Sequence, residues 1–212
     1  MPSDIPAPDR FRPALPEGPP KQRVIIAITG ASGVMIGVRA LELLQPLPEV
    51  ETHLILSPAG LRTLRAETDL RPEAVRALAD HVHPYGDIGA SLASGSFRTA
   101  GMLVAPCTVK TLSGIAHCYD DNLIVRAADV CLKERRPLVL MLRETPLHAG
   151  HIALMDQATR NGAILMPPVP AFYARPASLD DMITQMAARA LDVLRLPVPA
   201  LHRWCEPQPN PA

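Results

Sequence analysis

Five short runs of aliphatic and β-branched residues, each halted by glycine, proline or polar side chains, constrain this chain more than any other feature. The first, Val24-Ile25-Ile26-Ala27-Ile28, has no polar face. A strand of that kind must be covered on both sides, the condition of a central strand in a parallel sheet. It stops at Thr29-Gly30-Ala31-Ser32-Gly33, and a helical repeat through Val38, Leu41 and Leu44 follows. Further runs cover Glu51 to Leu56, Met102 to Ala105, Pro137 to Leu142 and Ala163 to Met166. In order, they end at Ser57-Pro58, Pro106-Cys107-Thr108, Arg143-Glu144-Thr145-Pro146 and a proline cluster. Strands alternating with helices imply right-handed crossovers. The expected fold is therefore α/β: a three-layer Rossmann-like or flavodoxin-like parallel sheet with helices on both faces. A closing helix is expected from Ser178, whose hydroxyl can cap it while Asp181 sits three residues on, with Leu179, Met182, Ile183 and Met186 turned to the sheet.

The two ends read differently. Met1 to Gln22 carries seven prolines and little periodic hydrophobicity, which suits neither a helix nor a ladder. The expected division is a flexible extension over 1–22, one domain over 23–196 and a proline-rich tail over 197–212. With 48% hydrophobic residues among 212, one domain can bury a sizeable core. The formal charge of +0 at pH 7 gives no general attraction to nucleic acid or to an anionic membrane, so any anion must be held by local groups. No apolar run approaches the roughly 20 residues of a spanning helix, and the start lacks the charged and apolar pattern of a secretory signal. The four cysteines, Cys107, Cys118, Cys131 and Cys205, show no CxxC spacing and are expected to be reduced packing residues of a cytoplasmic protein.

Ligands of open parallel sheets bind outside the carboxyl ends of the strands. There, Gly30-Ala31-Ser32-Gly33 lets backbone approach an anion at a helix N-terminus, where free N–H groups and the helix dipole stabilise phosphate; a plain structural turn uses the same glycines. Ser57 either contacts a cofactor or caps the next helix, and its position alone favours the cap. Thr108-Val109-Lys110-Thr111 puts two hydroxyls and an ammonium at another helix start. Arg135 and Arg136 read as a solvated basic face. Arg143-Glu144 closes a strand at the ligand edge, with a structural ion pair as its plainer reading. His81-Val82-His83 and His148-x-x-His151 each lack a third set of ligands in the sequence, so no metal site is expected.

Several further blocks occur together: Glu67-Thr68-Asp69, Ala93-Ser94-Gly95-Ser96-Phe97, Pro106 to Gly114, Arg126-Ala127-Ala128-Asp129, Leu132 to Leu138, Arg143 to His148 and Pro170-Ala171-Phe172-Tyr173. With the Thr29 to Gly33 turn, and in this order from Arg23 to Leu196, the chain resembles the UbiX flavin prenyltransferases. The resemblance implies a flavodoxin-like subunit, assembled as a homododecamer, that binds FMN between protomers. It implies joining of the dimethylallyl carbon of dimethylallyl phosphate, or diphosphate, to N5 of reduced FMN, followed by ring closure at C6. The prenylated FMN then serves UbiD-type decarboxylases. By the same resemblance FMN is held by Gly30, Ala31, Ser32, Ser57, Thr108, Val109, Lys110, Thr111 and Arg143. Prenyl phosphate meets Tyr173, Arg189, Arg126, Lys133, Ser94 and Gly95, partly across subunits. Glu144, Ser32, Glu67 and Lys133 carry the chemistry, with Glu144 as the proton carrier.

The chemistry of the reaction suits such residues. A departing phosphate develops anionic charge that guanidinium, ammonium and phenol groups stabilise. The sequence also lacks the D-D-x-x-D cluster with which other prenyltransferases hold a magnesium-bridged diphosphate. The resemblance departs from many family members at Thr108, where serine is usual; the hydroxyl is kept. Two other readings of the same fold stand beside it: an FMN-dependent cysteine decarboxylase and a non-catalytic flavin-carrying partner of a decarboxylase.

Overall fold

The structure is a computed structural model describing residues 21–204. Six strands form one sheet in the order β3-β2-β1-β4-β5-β6, every neighbouring pair parallel. They are β1 (Gln22–Ile28), β2 (Val50–Leu56), β3 (His81–His83), β4 (Gly101–Cys107), β5 (Leu138–Leu142) and β6 (Ile164–Leu165). The helices are α1 (Met35–Leu44), α2 (Pro58–Glu67), α3 (Pro72–Arg76), α4 (Val109–Ala116), α5 (Leu123–Lys133), α6 (Ala149–Arg160) and α7 (Leu179–Val193).

The sheet divides the interior in two because successive strand residues point to opposite faces. Val24, Ile26 and Ile28 of β1 join Leu103 of β4 and Met141 of β5 against Leu41 of α1, Leu64 of α2, Val75 of α3 and Leu191 of α7. Ile25 and Ala27 join Met102, Val104 and Leu140 against Leu112 of α4, Ile124 of α5 and Ala158 of α6. Each such aliphatic side chain removed from water contributes roughly 1.5–3 kcal/mol before conformational entropy is counted. Strand order reverses between β1 and β4, so the loops after these strands part and leave a crevice at their carboxyl ends.

Local chemistry sets the element ends. Ser57 accepts a hydrogen bond from Gly60 N at 2.9 Å and Pro58 opens α2. Thr108 accepts from Thr111 N at 3.1 Å. At α7 the Ser178 hydroxyl and the Asp181 carboxylate cap reciprocally, as the sequence spacing implied.

One strand was not foreseen and three expectations need correction. The segment His81–His83 is an edge strand, because Asp80 accepts from the Thr52 amide (2.7 Å) and hydroxyl (2.8 Å) and so aligns the chain beside β2. Leu179 does not face the sheet: it is 71% exposed, since the start of α7 overhangs the ligand edge, and the packing of α7 comes from Ala187, Ala190 and Leu191. Arg136 is not solvated. Arg135 takes a left-handed conformation (φ 58) after α5, and Arg136 turns back to donate to Phe97 O at 2.9 Å and Gly95 O at 2.6 Å. Cys118 is exposed, whereas burial in aliphatic surroundings pushes the Cys107 and Cys131 thiols up to about 12. Cys205 lies outside the described residues. Residues 197–204 run back along α7, where Gln185 donates to His202 O at 2.7 Å and accepts from His202 N at 2.9 Å.

Candidate active site

The turn after β1 is held open by packing that only glycine permits. A Cβ on Gly30 would stand 2.4 Å from Ala59 Cβ, so α2 approaches the turn backbone to backbone. Gly33 has φ +94, a conformation L side chains rarely adopt. Thr63 of α2 donates to Gly30 O at 3.0 Å and fixes the other side of the turn. With the turn so shaped, Gly33 N and Val34 N point together, and Glu67 Oε2 accepts from them at 2.9 and 3.2 Å. The turn thus makes an anion position at the start of α1, and the carboxylate at the end of α2 occupies it.

The turn after β4 is tied to the same place by a residue the sequence reading passed over. Thr29 is buried, donates its hydroxyl proton to Pro106 O at 2.7 Å and accepts from Thr108 N at 2.9 Å. It therefore locks the ends of β1 and β4 together. A threonine following an apolar strand and preceding the glycine turn is the only signal for it in the sequence. Thr108 Oγ1 then donates to Thr111 Oγ1 at 3.0 Å, while Lys110 is exposed and lines, with Thr111, Ser113, Asn122 and Tyr85, a cavity of about 460 Å³.

A second cleft, also of about 460 Å³, collects the expected residues most directly. Ser32, Gly33, Glu67 and Arg143 line its polar side, and Met35, Ile183 and Met186 its apolar side. Polar donors beside an apolar wall match a ligand with a charged end and a flat, greasy body. Glu144 follows Arg143 out of β5 and is exposed, its carboxylate accepting from Thr145 N at 3.0 Å.

The remaining expected residues stand in two other groups on the same chain. Lys133 closes α5, is exposed and donates to Glu134 Oε1 at 2.6 Å; that hydrogen bond holds the Glu134 carboxyl below its ordinary value. Gly95 packs against this pair, since a Cβ there would meet Lys133 Nζ at 2.8 Å. Arg126 reaches Ala93 O at 3.3 Å and pairs with Asp120 and Asp129 at 3.1 and 2.9 Å. Ser94, whose hydroxyl meets Ser96 Oγ at 2.9 Å, completes this second group. The third group is Tyr173, edge-on to Trp204 at 5.3 Å, and Arg189, paired with Asp192. Tyr173 and Trp204 are exposed, as are the chain neighbours Val169 and Phe172.

A protein-family model described as Flavoprotein matches residues 14–187. The flavin prenyltransferase UbiX of Escherichia coli is 56% identical over 185 residues, which cover 86% of this chain and 98% of that protein. A crystal structure of AnUbiX (PadA1) in complex with FMN and dimethylallyl pyrophosphate superimposes with a TM-score of 0.85 at 48% identity, covering 88% of this chain and 98% of that one. A dodecameric FMN-dependent UbiX-like decarboxylase from Escherichia coli superimposes with a TM-score of 0.84 at 45% identity, covering 87% of this chain and 100% of that one. The cysteine decarboxylase TvaF reaches a TM-score of 0.61 at 15% identity, a likeness of fold alone.

Proposed function

The chain belongs to the UbiX-type flavin prenyltransferases, and on that premise we propose that it transfers a dimethylallyl group to reduced FMN. The observation that carries the reading is the cleft in which Ser32, Gly33, Glu67 and Arg143 converge at the carboxyl edge of the sheet. The Ser32 hydroxyl and the Arg143 guanidinium there suit the phosphate of FMN, and the apolar face of α7 suits a flavin ring. Gly30, Ala31 and Ser32, the capped starts of α2 and α4 with Ser57 and Thr108 to Thr111, and Arg143 form the proposed FMN set.

In the transfer, the bond from the prenyl carbon to the phosphate oxygen breaks while that carbon joins N5 of the flavin, and the electron pair of the broken bond leaves with the phosphate. Cationic and phenolic donors stabilise that charge most as it develops, which is the role proposed for Lys133, Arg126, Tyr173 and Arg189 with Ser94 and Gly95. Closure at C6 consumes the prenyl double bond: one of its carbons takes up a proton, the other bonds C6, and the C6 proton then leaves, with Glu144 as the proposed acceptor. Glu67 and Ser32 flank the reacting ring. Following the family resemblance, we assign part of the site to contacts between subunits of an oligomer, a dodecamer as in the Escherichia coli relative. The exposed apolar residues around Tyr173 support that assignment. Prenylated FMN would pass to a UbiD-type decarboxylase in the cytoplasm. Among the described residues no helix is long and apolar enough to cross a membrane.

The deciding experiment incubates the full chain with reduced FMN and dimethylallyl phosphate, without added magnesium, and weighs the released flavin by mass spectrometry. A gain of one C5 unit is expected. Flavin of unchanged mass would remove the reading.

A further inference from the structure

We infer that Glu51, His53 and His81 form a binding site for one zinc-like divalent transition-metal ion at the β2–β3 edge of the sheet, apart from the flavin site. The inference stands on placement that the sequence conceals. The parallel register sets His53 of β2 opposite His81 of β3, and Glu51 and His83 lie two residues along their strands, on the same face. Three imidazoles and a carboxylate therefore share one patch, although no two ligands from different strands are near in sequence.

The geometry is that of a nearly assembled site. His53 Nε2 lies 3.0 Å and His81 Nε2 3.6 Å from the same oxygen, Glu51 Oε1. The three ligand atoms all fall within 4.8 Å of one another. Ligand atoms around a tetrahedral zinc, about 2.0–2.1 Å from the metal, sit roughly 3.3–3.4 Å apart, so only small side-chain shifts separate this arrangement from coordination. The rings of His53 and His81 stack at 4.7 Å with 21° between their planes and present the same edge to the carboxylate.

The surroundings supply what a bound ion needs. His53 Nδ1 is 2.9 Å from His83 Nε2, so with a metal on Nε2 the Nδ1 proton can be donated to His83, the outer partner that fixes tautomer and ring orientation in metal-bound histidines. Arg23 Nε donates to Glu51 Oε1 at 3.0 Å while its guanidinium lies 4.5 Å over the Phe97 ring. Arg23 and both imidazoles now converge on Oε1, so an ion sharing Glu51 with Arg23 would take the second oxygen, Oε2, after a small turn of the carboxylate. His53 is 3% exposed and edged by Phe97 at 5.4 Å, whereas His81 is 53% exposed and gives entry from solvent. Two imidazoles and one carboxylate select zinc, copper or nickel over magnesium or calcium. His53 precedes the ligand-edge Ser57 by four strand residues, about 13 Å, so the ion would tie β3 to β2 and take no part in prenyl transfer.

The test titrates the chelator-stripped full chain with Zn²⁺ by calorimetry and with Co²⁺ by visible absorption. One ion per chain is expected, with the intense bands of low-coordinate cobalt and a zinc-dependent rise in Tm. His81→Ala, at an exposed position, should lose at least tenfold in affinity and the Tm response while still binding FMN. His83→Asn should lose about 10- to 100-fold, as outer partners do. The double variant His148→Ala/His151→Ala removes the other close histidine pair, whose rings are 3.7 Å apart, and should bind as wild type does. Absence of saturable binding, wild-type affinity in His81→Ala, or loss confined to the His148/His151 variant would each overturn the assignment.

Discussion

At the scale of single residues, Arg143 and Glu144 are neighbours whose proposed duties are separable. Both are exposed at the end of β5, so replacing either leaves the core untouched. Arg143→Ala should remove the proposed charge-assisted contact to FMN, worth about 1.5–3 kcal/mol. Its FMN dissociation constant should rise roughly 10- to 100-fold in a fluorescence titration, and wild-type affinity would take Arg143 out of the site. Glu144→Gln keeps shape and hydrogen bonding but loses basicity, and positioned bases typically contribute about 10²–10⁴-fold. That variant should bind FMN normally while formation of the prenylated product slows within this range. An open, singly joined adduct accumulating in stopped-flow spectra would place the loss at ring closure, and full-rate conversion would show that another group, such as the released phosphate, takes the proton. Glu67 differs from both, because its carboxylate already engages the amides of Gly33 and Val34. Nothing near Glu67 in sequence points to them, since the partners lie 34 and 33 residues away.

At the scale of elements, the caps and the buried strands were legible while contacts between distant segments were not. Val24 to Ile28 reads as a covered strand because every residue is apolar, and Ser57, Thr108 and Ser178 read as caps because their spacing to the next amides is local. His81–His83 is too short for an apolar run or a sustained alternation, and its pairing with β2 is set up by Asp80, which anchors it to Thr52. Arg136 looked solvated because its acceptors, Phe97 O and Gly95 O, are about forty residues back, 39 and 41 positions away. Of the proposed site, the glycine turn and Arg143 were visible as strand-end chemistry; the roles proposed for Lys133, Tyr173 and Arg189 rest on resemblance, since nothing local distinguishes them from surface residues. The capping box of α7 offers a direct check on the local part. Ser178→Ala should lower unfolding stability by about 1 kcal/mol, read from the denaturant midpoint at unchanged slope, because the Asp181 amide loses its acceptor.

At the scale of the whole molecule, the proposed site residues are spread over several elements of one chain. If subunits share them, an Arg143→Ala chain and a Tyr173→Ala chain, each defective alone, should recover activity when unfolded and refolded together, because some interfaces would then combine the intact halves. Recovery no greater than the sum of the separate preparations would mean that each chain works alone. The sheet itself bears on how chains meet. Its open edges are β3, three residues long, and β6, two residues long. An open edge is a row of unpaired amides and carbonyls able to recruit a strand from another chain, and neither edge here is long enough to template one. Encounters between copies must therefore be settled by helices and loops. Crowding should favour association through side-chain surfaces over growth by strand addition at either edge of the described sheet.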